Sequence, residues 1–298
     1  GWIAGIPCGS PASSALGGRG GSVGSWHPTL AHAMAAAPFF SIVMASHLRP
    51  LTLARALASV RAQTVQDLEL VVVADALDAD TAAVIARDLG PTDTFIKRTG
   101  PNGPAASRNL GLATARGEWV IFLDDDDTLG PDHLATLLPH CQQPDSQVLF
   151  TDVTVVTEDR QQPGMPELSR QVSPLADQDV NLLWVKNFIP LHCLAYRRSL
   201  LQGLSFDAHM ASQEDWDFLL GVCSRALPRH VAGGAAVMHK DYVNPGQRRG
   251  QQEASNNSTV ILDFLHAYRR WPAPTPELKA ARAGLMKSVG LALPGEWF

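Results

Sequence analysis

The chain is poor in the features that mark several large protein classes. Its four cysteines, Cys8, Cys141, Cys193 and Cys223, are far apart and show no C-x-x-C spacing. That pattern supports neither a structural zinc site nor a disulfide framework, and it sets a reducing cytoplasm as the expected compartment. There is no surplus of positive charge: 24 Lys and Arg face 29 Asp and Glu, for a net charge of −5. A nucleic-acid partner is therefore not expected, because the phosphate backbone is met by a basic field. No apolar run approaches the ~18 residues of a transmembrane helix. Any membrane contact would be peripheral, at the inner face.

What the chain does have is a regular alternation of short apolar runs and helical patterns. With 298 residues and 45% hydrophobic content, it can bury a sizeable core. Phe39 to Ser46 reads as a buried strand broken at His47-Leu48-Arg49-Pro50. From Leu51 to Gln63, Leu53, Leu57 and Val60 recur at helical spacing. Leu68 to Val73 is a near-continuous apolar run, as in a parallel strand covered on both faces, and it ends at Ala74-Asp75. This strand-helix-strand unit places Asp75 at a carboxyl edge, where ligands bind in open α/β sheets. A helix over 80–89, a strand over 94–97, a helix over 105–115 and a strand over 119–123 continue the pattern. The expected fold class is α/β, with a doubly wound sheet.

Two acidic constellations carry the chemistry. Directly after the apolar Trp119-Val120-Ile121-Phe122-Leu123 come Asp124, Asp125, Asp126 and Asp127. Like charges clustered at a strand end repel unless a cation or solvent compensates them, and the simplest use of such a cluster is to hold a divalent metal that neutralises a diphosphate. An acidic turn before a helix opening at Pro131-Asp132-His133-Leu134 is the structural alternative. The second constellation is Glu214-Asp215, within Ala211-Ser212-Gln213-Glu214-Asp215-Trp216-Asp217. It suits a helix N-terminus with Ser212 as cap, and it equally suits a general base.

These residues together resemble the family 2 glycosyltransferases. The resemblance rests on Ser41-Ile42-Val43 with Arg49-Pro50, Ala56 to Val60 with Gln63-Thr64, Val71 to Asp75, Asn102 to Gly111, Ala115 to Trp119, the Asp run, Arg197 to Leu201 and Gln213 to Asp217. It implies a GT-A fold, with a mostly parallel central sheet flanked by helices and a C-terminal helical appendage. It implies an inverting transfer of a sugar from a nucleotide-sugar donor, a UDP-sugar by expectation, to a glycan, lipid-linked or other hydroxyl acceptor in cell-surface glycan synthesis. Mn²⁺ or Mg²⁺ is implied as cofactor. By the same resemblance Asp215 is the catalytic base and Glu214 orients the acceptor or the loop. Ala45, Ser46, Arg49, Asp75, Arg108, Asp124 and Asp125 hold the nucleotide-sugar, with Asp75 on the base. Asp124, Asp126 and His239 hold the metal. The chain departs from the family pattern at Ala74-Asp75-Ala76-Leu77, where many relatives carry an acidic pair followed by Gly-Ser, and at Ser46-His47-Leu48, in place of Thr-Tyr-Asn.

The expected organisation is a flexible Gly/Ser/Ala/Pro-rich extension over 1–38, a nucleotide-sugar-binding half over 39–150, an acceptor-binding half over 151–250 and C-terminal helices over 251–298. Residues 1–38 lack the basic start and compact apolar core of a secretory signal. Helices are expected over 254–270 and 276–289, the second opened by Thr275 and Pro276. Arg248 and Arg249 could reach phosphates, and His192 could line the acceptor side. A nucleotidyltransferase would normally show a Gly-rich loop after its first strand, which Ser46 to Pro50 lacks. A non-catalytic nucleotide-sugar or glycan-binding module is the remaining alternative.

Overall fold

The computed structural model describes residues 37–243 and 257–298, so residues 1–36 of the expected N-terminal extension, together with Arg248 and Arg249, lie outside the described residues. The first strand, β1 (Phe40–His47), is buried along nearly its whole length, as is β2 (Leu68–Ala76). Between them α1 (Pro50–Arg61) begins on a proline and buries Leu53, Ala56, Leu57 and Val60, the apolar face that its spacing predicts. α2 (Ala79–Asp88) starts one residue before the expected helix because Asp78 caps it, accepting from the Thr81 amide at 2.7 Å. β3 (Thr94–Lys97), α3 (Pro104–Thr114) and β4 (Trp119–Asp124) fall where the sequence predicts them to within a residue.

Beyond the Asp run, β5 (Thr128–Leu129) leads to α4 (His133–Cys141), then β6 (Val148–Phe150), β7 (Val153–Glu158) and β8 (Glu167–Ser173). After β9 (Leu194–Arg197) come α5 (Glu214–Cys223), β10 (Arg229–His230), β11 (Ala236–Asp241), α6 (Asn257–Arg270) and α7 (Pro276–Ser288). The main sheet runs in the order β10-β6-β9-β4-β1-β2-β3, and only β9 pairs antiparallel with its neighbours. A four-stranded sheet, β5-β11-β7-β8, stands beside it, with β11 and β7 parallel.

The parallel register fixes the working edge. Ala45 on β1 pairs with Asp124 on β4, and Ser46 pairs with Ala74 on β2, so the ends of three strands carrying His47, Asp75 and Asp124 converge. Glycines let the chain pass closely at the opposite edge. A Cβ on Gly117 would lie 2.6 Å from the Ser41 backbone nitrogen.

The C-terminal helices pack on α5. Trp216 lies against Phe264 and Tyr268 and donates to the Leu183 carbonyl at 2.8 Å. Arg282 of α7, fully buried, donates to the carbonyls of Trp184 and Trp271 at 2.6 and 2.9 Å, and its guanidinium lies 4.2 Å from the Tyr268 ring centre. α7 is capped by Thr275, as predicted. Cys141, Cys193 and Cys223 are buried free thiols. Among the described residues no helix is long and apolar enough to cross a membrane.

Candidate active site

The carboxyl edge of the main sheet opens into a cleft of about 1310 Å³. β4 delivers Asp124 to it, and a turn closed by the Asp127 amide on the Asp124 carbonyl at 3.2 Å delivers Asp126 and Asp127. α3 supplies Arg108, the loop after β1 supplies Arg49, and the start of α5 supplies Glu214 and Asp215; all of these residues line the cleft. So does His192, on a 3-10 turn just before β9, as does an apolar stretch from Phe188 to Leu191.

Arg108 ties the two acidic constellations together. Its guanidinium donates to Asp124 at 2.7 Å and to Glu214, 106 residues further along the chain, at 2.9 Å, so that α3 joins β4 to α5. Burial opposes its charge, but Asp124, Glu214 and Asp215 outweigh burial and raise its pKa further above the ordinary arginine value. Asp126 is held by Arg49 at 2.9 Å and Arg160 at 3.1 Å. Arg160 also donates to Glu158, which Arg55 grips through both terminal nitrogens while donating to the Asp126 carbonyl. Burial would raise the Glu158 carboxyl, yet these hydrogen bonds and charges hold it below its ordinary value.

The structure distributes the other expected residues unevenly. Asp127 neither caps α4 nor lies in solvent. It is buried, accepts from the His239 amide at 2.8 Å and lies 3.2 Å from the His192 ring. Burial, then the charges of Asp126 and Asp124, pushes its carboxyl well above the ordinary range. Asp125 is fully buried and accepts from the His47 amide at 2.9 Å. Ala45, Ser46 and Asp75 are likewise buried and form no part of the cleft wall. His239 turns both ring nitrogens elsewhere, Nε2 to the Thr128 hydroxyl at 2.9 Å and Nδ1 to Glu158 at 3.1 Å. Burial, then Arg55, keeps its pKa below that of a free histidine.

Ser212 is not the cap of α5. Its amide and hydroxyl both donate to Asp263 of α6 at 2.8 Å, and the preceding position of the helix is Gln213, in the left-handed region at φ 60°. Asp215 instead accepts from the Trp216 amide at 2.7 Å. Arg55, Arg160, Glu158 and Arg98, none of them singled out from sequence, join the network, as does His47, marked in the sequence only as a departure from the family pattern. The only local signal for Glu158 is a carboxylate ending an apolar strand, the same signal that marks the Asp run.

Three side chains do not by themselves form a metal cage: among the described residues no group of three or more His, Cys, Asp or Glu could hold an ion. The donors that are present suit a different arrangement. Asp124 and Asp126 offer hard oxygens beside three arginines and beside Asp127, whose carboxyl is raised first by burial and then by their charges. Mg²⁺ and related ions are often held by one or two carboxylates, with substrate phosphates completing the shell. The residues therefore fit a cation shared with a diphosphate.

Comparison with known proteins agrees with this architecture. The model of "Glycosyl transferase family 2" matches residues 41–204. The succinoglycan biosynthesis protein ExoO of Rhizobium meliloti (strain 1021) is 32% identical over 190 residues, which is 61% of this chain but 55% of that protein. Staphylococcus aureus TarS 1-349 in complex with UDP-GlcNAc superposes with TM-score 0.56 at 16% identity, covering 85% of this chain and 73% of that one. The mannosyltransferase PcManGT of Pyrobaculum calidifontis, in complex with GDP-Man and Mn²⁺, superposes with TM-score 0.51 at 16% identity, covering 88% and 78%. These structural likenesses carry the fold, which is of the GT-A type.

Proposed function

Because the chain belongs to glycosyl transferase family 2, we propose that it moves a sugar from a nucleotide-sugar donor to a hydroxyl acceptor with inversion, in the building of a polysaccharide or related surface glycan. The observation that carries this reading is Arg108, which binds Asp124 and Glu214 at once and so joins the donor-side Asp124 to the neighbour of the candidate base Asp215 within one cleft. Residues 39–150 then carry the donor, 151–250 the acceptor, and the helices of 251–298 support α5. A UDP-sugar is the expected donor. The named relatives act in polysaccharide synthesis or bind UDP-GlcNAc or GDP-Man.

In this reading Asp124 and Asp126 would hold Mn²⁺ or Mg²⁺, which would supply positive charge against that of the diphosphate. Arg49 and Arg160, now on Asp126, would serve as cationic donors to a diphosphate bound there. Asp215 takes the proton of the acceptor hydroxyl as its oxygen attacks the anomeric carbon opposite the departing diphosphate, and no covalent intermediate forms. Glu214, fixed by Arg108, orients the acceptor or the loop. Phe188 to Leu191 offers the acceptor an apolar wall. His239 is retained as a metal ligand only if its ring leaves Thr128 and Glu158.

A thermal-shift screen of UDP-, GDP- and dTDP-sugars, with and without manganese, tests the proposal, because a ligand that binds only the native state raises its stability. One donor should stabilise the protein in a metal-dependent way, and chelation should weaken UDP binding sharply. Equal UDP affinity with and without chelator would remove the metal, and the absence of any shift or turnover would remove the transfer reaction.

A further inference from the structure

Asn109 sits next to Arg108 on α3 and grips the backbone of a residue 97 positions further along the chain. Its Nδ2 donates to the Phe206 carbonyl at 2.8 Å, and its Oδ1 accepts from the Phe206 amide at 2.8 Å. Phe206 belongs to no helix or strand, so no ladder satisfies its backbone. A carboxamide carries a donor and an acceptor side by side and supplies what a neighbouring strand would otherwise provide.

The position of Phe206 matters because of what its ring touches. It is buried, stacks on Phe218 of α5 with ring centres 4.1 Å apart, meets Phe122 of β4 edge-on at 4.9 Å, and its centre lies 5.5 Å from the Arg108 guanidinium. Phe218 is one helical turn beyond Glu214, so Phe206 sets where the first turn of α5 stands relative to β4. From Phe206 the chain runs along the cleft wall, through Ala208 to Gln213. α6 holds this stretch from the other side, with His266 on Asp207 at 3.1 Å and Asp263 on Ser212 at 2.8 Å. Gln213 then enters α5 at φ 60°, a backbone conformation that persists in a non-glycine residue only where its surroundings over-determine it, and that gathers at functional sites. Glu214 and Asp215 follow directly.

We propose that Asn109 is a positioning residue: by clamping Phe206 it fixes the approach to α5 and so aims the Asp215 carboxylate at the acceptor oxygen. α3 then carries two adjacent clamps with separate duties, Arg108 on the side chains of Asp124 and Glu214, and Asn109 on the backbone. The inference rests on the reading of Asp215 as the base and deepens it. Misplacing a reacting group by about 1 Å costs on the order of 100-fold in rate, while the groups that bind the donor stay where they are.

The probe is the UDP-, GDP- or dTDP-sugar selected by the thermal-shift screen, in manganese, with water as acceptor. Its hydrolysis rate and the affinity of its nucleoside diphosphate are measured for the full chain, Asn109→Leu, Asp215→Asn and the double variant, with melting temperatures to verify folding. Asn109→Leu has a similar volume and lacks both hydrogen bonds. It should bind the nucleotide within about twofold of the wild type while hydrolysis falls roughly 10–100-fold. In the Asp215→Asn background the same substitution should lower the rate by no more than about twofold, because a clamp that acts through Asp215 has nothing left to aim. A merely structural residue would lose the same factor in both backgrounds, and that result, or wild-type hydrolysis in Asn109→Leu, would overturn the inference. So would a fall in nucleotide affinity as large as the fall in rate. Asn109→Asp keeps the shape and the bond to the Phe206 amide but sets an oxygen against the carbonyl, and the same comparison decides the matter with it if the leucine variant does not fold. Near-wild-type hydrolysis in Asp215→Asn alone would remove the base and this inference together. An additive loss removes the inference and leaves the base in place, which separates the two failures.

Discussion

Arg108 holds Asp124 and Glu214 with one buried guanidinium, so its loss would remove the cation that the two carboxylates share. Arg108→Met should destabilise the protein by about 3–5 kcal/mol, the usual penalty for breaking a buried pair, read as a fall in the denaturant midpoint. Arg108→Lys should recover only part of this, since a point charge cannot serve two acceptors set apart at the ends of a fork. Asp215 makes a different case. The Trp216 amide accounts for one of its oxygens, and an asparagine could still accept that bond. Asp215→Asn should therefore retain the melting temperature and donor affinity while turnover falls by about 10²–10⁴. Near-normal turnover would take Asp215 out of the mechanism. The acidic run and the Glu-Asp pair were legible in sequence because carboxylates at a strand end and at a helix start are conspicuous. Arg160 and Arg55 were not, because a lone arginine on a helix or after a strand looks like any solvated cation until its partners are known.

At the scale of elements, the strand edges work because the opposite ends are held tightly. Ser41 donates to Glu69 at 2.6 Å and accepts from the Gly117 amide at 2.8 Å, and Glu69 also takes the Arg116 amide and side chain. This pins the turn before β4 to β1 and β2, and so sets how far Asp124 projects. Gly117→Ala would drive a methyl into the Phe40–Ser41 backbone, with contacts of 2.6–2.7 Å that no side-chain rotation can relieve. The expected loss is about 1–3 kcal/mol, measured by chemical denaturation, with donor affinity reduced as well if β4 shifts. Wild-type stability would show that the turn yields at no expense. On the other side of the cleft, α6 secures α5: Asp263 takes Ser212, while Arg270 and Trp271 donate to Asp217 at 2.9 and 3.0 Å. Ser212 as a helix cap was a fair expectation from local sequence, and it failed because a carboxylate 51 residues away offers a better partner.

At the scale of the molecule, the polar interior makes stability depend on pH. His133 is fully buried, and its Nδ1 accepts from the Ala235 amide at 3.2 Å. Burial, then the neighbouring His192, depresses its pKa to about 3, and burial depresses that of His192 to about 4. A histidine with a lowered folded pKa takes up protons more readily unfolded than folded, so its contribution is fully present above about pH 6.5 and is lost as the pH falls from there toward the folded value. Between pH 6.5 and 5 the loss from His133 alone should be about 2 kcal/mol, seen as a falling urea midpoint. His133→Gln should flatten that acid limb, and an unchanged slope would show that the ring titrates normally.

Read alone, the sequence determined the alternation of strands and helices, the burial of β1, β2 and β4, and the placement of carboxylates at their ends. These follow from periodicity and from the energetic penalty on clustered charge, which are local properties. Only the tertiary structure decided which charges meet. Arg108 bridging Asp124 and Glu214, Glu158 gathering Arg55 and Arg160, and His47 covering Asp75 all join residues from separate elements. Such pairings depend on strand order and register, which bring distant positions within hydrogen-bond reach, and no local pattern encodes that distance. For the same reason Asp75 reads from sequence as an open ligand at a sheet edge, while packing buries it beneath a histidine.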